Sequence, residues 1–263
     1  PHSGPLTVQV THTYGRGFPF TTAVQTAATA LANGIRNARQ FFYMEDQYFV
    51  GSPMMEAAIR SALASNPNLV GIVVIAAEFS VGDLPDLPFR RRAFLAPLSN
   101  DFPGRLLVFE RLGNGSPIGP TAYVHTKLLI VDDEAAFIGS VNSSRRSWFH
   151  DSEIDATIVD RNGAGGTAAG TRGWVRDFRC EMWSRHLTIP STALGDISTS
   201  LGFWRAVVSG QFVLIDGKLF DISGTVSVRP YNVNAIAPRY SVGGVPLSPK
   251  LLDLAWNTVE DPA

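Results

Sequence analysis

The segment Leu69–Ala77 carries no polar side chain and is rich in Val and Ile, interrupted only by Gly71. A strand with one solvated face alternates polar and apolar residues, so a run like this one reads as a strand covered on both faces. That demands helices above and below a sheet and points to an α/β fold. The run is also far too short to cross a bilayer, which takes about 20 apolar residues.

The flanking sequence supplies the covering elements. Thr22–Gln40 reads as an amphipathic helix, with Val24, Ala27, Ala28, Leu31, Ile35 and Ala38 on one face. Phe41–Glu45 is a short apolar strand. Ser52-Pro53 has the form of an N-cap followed by proline in the first turn, and opens a helix to about Ala64 that Asn66-Pro67-Asn68 ends. This strand–helix–strand order predicts a parallel unit with a right-handed crossover. Further strands are expected at Arg105–Arg111, Tyr123–Val131, Ala135–Ile138 and Ile154–Val159, and a helix over Thr171–Leu187 with Trp174, Val175, Phe178 and Met182 on one face. Phe79–Gly104 contains Pro85, Pro88, Pro97 and Pro103 and an Arg90–Arg92 cluster without clear periodicity. It reads as a long excursion, either functional or covering the core. Residues 1–20 read as an extended polar lead-in, Asn114–Pro120 as a turn, Asn162–Gly170 as a Gly/Ala loop, and Phe212–Ile222 as a hairpin around Asp216-Gly217.

The expected architecture is a mixed, largely parallel sheet flanked by helices over residues 1–190. A less regular extension, 191–263, packs on it. The 263 residues are 45% hydrophobic and 17% charged, which excludes disorder and allows a sizeable core. A net charge of −1 counts against a dedicated nucleic-acid binder. The single cysteine, Cys180, excludes an internal disulfide, and no pair of histidines has metal-ligand spacing.

Chemistry concentrates between His125 and Glu153. His125 and Lys127 are two apart on an expected strand and so share a face, with Leu129 and Val131 beyond them as an apolar floor. Asp132, Gly139, Ser140, Asn142 and Glu153 follow. Asp132 falls at the end of the strand, where anchoring a turn is the simpler role, and Gly139 suits close backbone approach. His2, His12 and His150 read as terminal, surface and loop positions.

The spacing H-x-K-x4-D-x6-G-S-x-N, met in full by His125, Lys127, Asp132, Gly139, Ser140 and Asn142, resembles the motif of the phospholipase D superfamily. Glu153 fits the family's downstream glutamate. Glu45-Asp46-Gln47-Tyr48-Phe49 is similar to the family's E-N-Q-Y-F segment, with Asp46 replacing asparagine, and Trp183-Ser184-Arg185-His186-Leu187 is similar to its W-x-x-H-L ending. The resemblance covers about residues 20–190. It implies a phospholipase D-like lobe and a two-step phosphohistidine reaction on phospholipids at a membrane surface, with an alcohol able to replace water. It also implies no required cofactor or metal, because lysines supply the positive charge. Lys127, Asn142 and Ser140 would then serve the phosphoryl oxygens, and Glu153 would orient a histidine.

That mechanism needs two histidines, and this chain has one motif: lysine occurs only at 127, 218 and 250. The second His-Lys pair is expected from an N-terminal half, which the Pro1 start agrees with, or from a homodimer. With the nucleophile on that missing half, His125 becomes the general acid/base. Alternatives are a nuclease or other phosphodiesterase of the same superfamily, and a non-catalytic phosphate-binding half.

Overall fold

Burying the Leu69–Ala77 run organises the molecule. In the computed structural model, residues 6–16, 22–76, 87–111, 123–160, 173–210, 212–215, 218–221, 227–233, 241–242 and 245–246 are described. The strands are β1 (Leu6–Tyr14), β2 (Val24–Gln25), β3 (Phe41–Asp46), β4 (Val70–Ala76), β5 (Leu106–Arg111), β6 (Leu128–Val131), β7 (Ala135–Gly139) and β8 (Glu153–Asp160). They are followed by β9 (Phe212–Ile215), β10 (Lys218–Asp221) and β11 (Val228–Pro230). The helices are α1 (Thr26–Arg36), α2 (Pro53–Ser65), α3 (Leu87–Asp101), α4 (Arg145–Phe149), α5 (Trp174–Leu187) and α6 (Ile197–Ser209).

Nine strands form one sheet in the order β11-β5-β4-β3-β6-β7-β8-β1-β2. Every residue of β3 and β4 is buried, as a doubly covered strand requires. One face of the sheet packs Phe42, Met44, Val73, Leu129 and Phe137 against α1 and α2. The other packs Phe41, Tyr43, Val74 and Ile130 against Trp183 of α5 and Trp204 of α6. Ser52 caps α2 by accepting the Met55 N–H at 3.2 Å, with Pro53 in the first turn. Beyond residue 190, α6 lies in this second core and β11 extends the sheet beside β5.

The sheet is mixed but mostly antiparallel, which corrects the expectation of a largely parallel one. Only β3–β4 and β4–β5 are parallel. The crossover unit stops there because β6 and β7 are joined by a tight turn, and β6 lies antiparallel to β3. In that turn Asp132 and Asp133 both have positive φ, 53° and 58°, and the Glu134 N–H donates to the Val131 carbonyl at 2.9 Å. Two successive left-handed residues give the type I′ geometry that matches strand twist.

Several boundaries also move. The polar lead-in contains a full strand, β1, paired antiparallel along β8. The first helix begins at Thr26, because Val24 and Gln25 pair with β1. Within Phe79–Gly104, residues 87–101 form α3 despite Pro97. Its inner face includes buried Arg91, whose guanidinium donates to the carbonyls of Tyr48, Gln47 and Ala76, and a cation at an inner position hides the helical pattern. On α5 the buried side chains are Val175, Arg179, Cys180, Trp183, His186 and Leu187, whereas Trp174 is exposed. The expected hairpin near residue 215 is formed by β9 and β10. Its Asp216-Gly217 pair, like residues 79–86, 114–120 and 162–170, lies outside the described residues.

Arg179 explains how α5 is fixed. It is fully buried and donates to both Asp133 oxygens, at 2.6 and 2.9 Å, and to the Leu194 carbonyl at 2.8 Å, with its guanidinium 4.7 Å from the Trp183 ring centre. Removing one partner of such a pair leaves a buried charge uncompensated. Arg179→Met is expected to lower stability by about 3–5 kcal/mol in urea unfolding.

Candidate active site

The site lies where β3 ends and β6 begins. The expected strand over Tyr123–Val131 starts only at Leu128, because its partner β3 stops at Asp46 and then turns through Phe49, which has a positive φ of 48°. His125 and Lys127 therefore occupy an extended lead into β6, with His125 exposed and Lys127 buried. The Lys127 ammonium donates to Gln47 Oε1 at 3.1 Å and to the His125 carbonyl at 2.7 Å. Burial lowers its pKa, while the negative charges of Asp46 and Glu153 work the other way. The His125 ring stacks on Tyr123 with centroids 5.9 Å apart, and the Tyr123 hydroxyl is hydrogen-bonded to the Gln47 amide. Among the described residues the imidazole itself makes no hydrogen bond.

The rest of the motif surrounds this pair. Ser140 donates its hydroxyl to Glu153 Oε2 and accepts the Ile154 N–H at 3.1 Å. Glu153 thus meets the motif serine rather than the imidazole of His125. Asn142 is half-buried, and its Oδ1 is buried without a hydrogen-bond partner. A Cβ on Gly139 would collide with the Ile154 carbonyl and Asp155 Oδ1, so the strand has room only for glycine there. Asp132 does not reach the others. Its carboxylate accepts the backbone N–H groups of Arg39, Gln40 and Phe41 at 2.7, 2.8 and 2.9 Å, tying the β6–β7 turn to the start of β3.

The Glu45–Phe49 segment builds the back of the site. Asp46 Oδ1 accepts the N–H groups of Tyr48 and Phe49 at 2.8 and 2.7 Å, and Oδ2 accepts that of Ser143 at 2.7 Å. Donors to both oxygens suit a carboxylate better than the amide it replaces. Burial still raises the Asp46 pKa, with these three donors opposing it. On the other face Glu45 meets His186 Nε2 at 2.8 Å and the Tyr43 hydroxyl. Burial acts to raise its pKa, but the His186 and Tyr43 hydrogen bonds prevail and lower it. His12 and His150 are not brought to this cluster; the His150 carbonyl accepts the Gly15 N–H at 3.0 Å.

Two site residues were not singled out by sequence. Gln47 holds Lys127, and the Gln-Tyr-Phe segment was its only signal. Asp155, two residues beyond Glu153 on β8, is buried, and burial together with the Glu153 charge pushes its pKa to about 7.

A family model described as cardiolipin synthase, PLD-like domain, matches residues 31–168, more than half of the chain. Phospholipase D zeta 2 of Arabidopsis thaliana is 28% identical over 198 residues, covering 58% of this chain and 19% of that protein. Phospholipase D delta of the same plant is 26% identical over 273 residues, covering 77% of this chain and 32% of the relative. The chain thus spans between a fifth and a third of the length of these two relatives. Among solved structures, NucT from Helicobacter pylori superposes with a TM-score of 0.40 at 18% identity, over 59% of this chain and 86% of that one.

Two stability predictions follow from these contacts. Asp132→Ala strands three backbone donors, and urea unfolding is expected to show a loss of about 3 kcal/mol. Asp155 holds its proton in the fold up to about pH 7, whereas the unfolded carboxyl releases it near 3.8. Stability is therefore undiminished below about pH 4 and falls as pH rises to about 7. Asp155→Asn should match the wild type at pH 4 and exceed it at pH 8, by on the order of 4 kcal/mol at most.

Proposed function

The chain belongs to the phospholipase D superfamily, and from that membership we propose that it is a phosphodiesterase removing headgroups from phospholipids through a phosphohistidine intermediate. The observation that carries this reading is the pairing of Lys127 with His125. A buried ammonium is held by Gln47 and by the backbone carbonyl of His125, whose imidazole makes no hydrogen bond among the described residues. The ammonium can neutralise a phosphodiester oxygen, and the imidazole can attack phosphorus or exchange a proton.

The reaction needs two imidazoles. One attacks phosphorus, forming a P–N bond as the P–O bond to the headgroup breaks, and the other gives the leaving alcohol its proton. That second imidazole then takes a proton from water, whose oxygen displaces the first, releasing a phosphate monoester and the free histidine. An alcohol in place of water gives transphosphatidylation. His125 is assigned the acid/base role, with the nucleophile on a second motif-bearing half, an N-terminal half in preference to an identical copy. Lys127 and its counterpart supply the cationic charge, Asn142 and Ser140 can donate to the phosphoryl oxygens, and no metal is invoked. The substrate is a phospholipid at a membrane surface, and phospholipase D relatives support that choice over a nucleic acid.

The test is hydrolysis of phosphatidylcholine vesicles by the chain together with its second half, with and without ethanol. His125→Ala and Lys127→Ala should each lower kcat at least about 1,000-fold with folding retained by circular dichroism, and ethanol should yield phosphatidylethanol. A rate unchanged in either variant overturns the assignment.

A further inference from the structure

Asp155 is a buried acid for which the reaction above has no use. It follows Glu153 by two residues on β8, so the two carboxyls lie on one face of the strand, and both residues are buried. Its side chain occupies the space that Gly139 leaves free beside Ser140. Among the described residues Asp155 Oδ2 has no hydrogen-bond partner, and neither has the Thr13 or Thr157 hydroxyl. In the β1–β8 register Thr11 stands opposite Asp155 and Thr13 opposite Glu153, so the strip around the acid offers hydroxyls and no cation.

The charged groups around Asp155 are few. Glu153 lies on the same strand, and Lys127 stands across β7, with its carbonyl accepting the Gly139 N–H at 3.3 Å. Strand alternation puts His12 of β1, opposite Ile154, on the other face. The helix over this face, α1, presents Ala27, Ala28 and Leu31 inward and has no titratable residue before Arg36 at its exposed end. Against β1 packs α4, which carries Arg145, Arg146 and, at its end, His150; Arg146 is paired with Asp151 at 2.8 Å. The Lys127 ammonium feels the negative charges of Asp46 and Glu153, whereas the charge acting on Asp155 is that of Glu153. Two buried carboxylates on one strand face repel each other, and an anionic phosphodiester entering beside them adds a third negative charge.

We propose that Asp155 is a positioning residue that acts through Glu153: Asp155 stays neutral behind Gly139 in the working enzyme, so that no second negative charge stands beside the carboxyl that accepts the Ser140 hydroxyl. Loss of the Asp155 proton to solvent puts a second charge behind the motif and repels the phosphodiester. The protonated state of Asp155 up to about pH 7 agrees with this arrangement. The link to phosphodiester binding rests on the function proposed above; the carboxyl pair itself does not.

The experiment compares the wild type, Asp155→Asn and Glu153→Gln as full chains. Carbon-13 NMR of labelled Asp and Glu side chains between pH 4 and 9 follows the carboxyls, the His125 C2 proton is followed in the same samples, and hydrolysis of bis(p-nitrophenyl) phosphate is measured with the second half present. In the wild type one carboxyl should titrate near neutrality. In Glu153→Gln that midpoint should move to lower pH, and in Asp155→Asn it should vanish along with the matching inflection at His125. For hydrolysis, KM should rise several-fold above neutral pH in the wild type and stay flat in Asp155→Asn, with kcat changing less. A carboxyl titrating in the ordinary range, a midpoint unmoved by Glu153→Gln, or an identical His125 inflection in Asp155→Asn overturns the proposal. So does a KM profile that Asp155→Asn leaves unchanged. If the wild type does not hydrolyse the diester at all, the phosphodiesterase reading fails by itself, and the NMR titrations still decide the carboxyl pair.

Discussion

The registration of β6 against β3 depends on one carboxylate. Asp132 collects the N–H groups of Arg39, Gln40 and Phe41 just where β3 begins, and the Asp132 N–H returns to the Phe41 carbonyl at 3.3 Å. This clamp sets Phe42 opposite Val131 and carries the pairing along to Glu45 opposite Leu128. Shifting an antiparallel pair by one residue would turn every side chain to the wrong face. Lys127, next before Leu128, then falls beside Gln47, next but one after Glu45. A residue at the far end of the hairpin from the chemistry thus determines that the ammonium and its amide acceptor meet.

From that registration β3 distributes polar groups to both sides of the sheet. Glu45 turns toward α5 and meets His186, while Asp46 turns toward the α1–α2 face and gathers Tyr48, Phe49 and Ser143. The first contact fixes the C-terminal end of α5, and the second fixes the segment that carries Asn142. Arg91 closes the same corner from α3 through three main-chain carbonyls. Each buried charge has hydrogen-bonding partners of its own, as a charge withdrawn from water requires.

What could be read from sequence was what local pattern encodes. The buried strands β3 and β4, the N-cap of α2, the β6–β7 hairpin and the His125–Asn142 spacing all carry their signal within a few residues. Strand direction did not, because whether β6 runs with or against β3 depends on which strand it meets across about eighty residues of chain. α3 was hidden by Pro97 and by an arginine pointing inward, where the helical pattern expects an apolar residue. β1 was hidden by threonines, since Thr11 and Thr13 occupy inward positions that a half-buried strand usually gives to larger apolar groups. Gln47, just past β3, had only the Gln-Tyr-Phe segment to mark it, and Asp155, on β8, had no motif position at all.

Those two late arrivals change how the site's charge is understood. Counted by residue type, the motif looks basic, because His125 and Lys127 stand out. Counted by the charges that act on the ammonium, it is acidic, since Asp46 and Glu153 both do so and Asp155 lies two residues beyond Glu153. A phosphodiester is an anion, and one lysine cannot both offset several carboxylates and attract it. Asp46 is met by three backbone donors that disperse its charge, and Asp155 escapes the conflict by keeping its proton. Even so, Lys127 is the one lysine of the motif that can meet the substrate's charge. A second His-Lys pair facing His125 would therefore do more than complete the proton transfers: it would add a cation to a lobe whose own ammonium already lies within reach of negative charges.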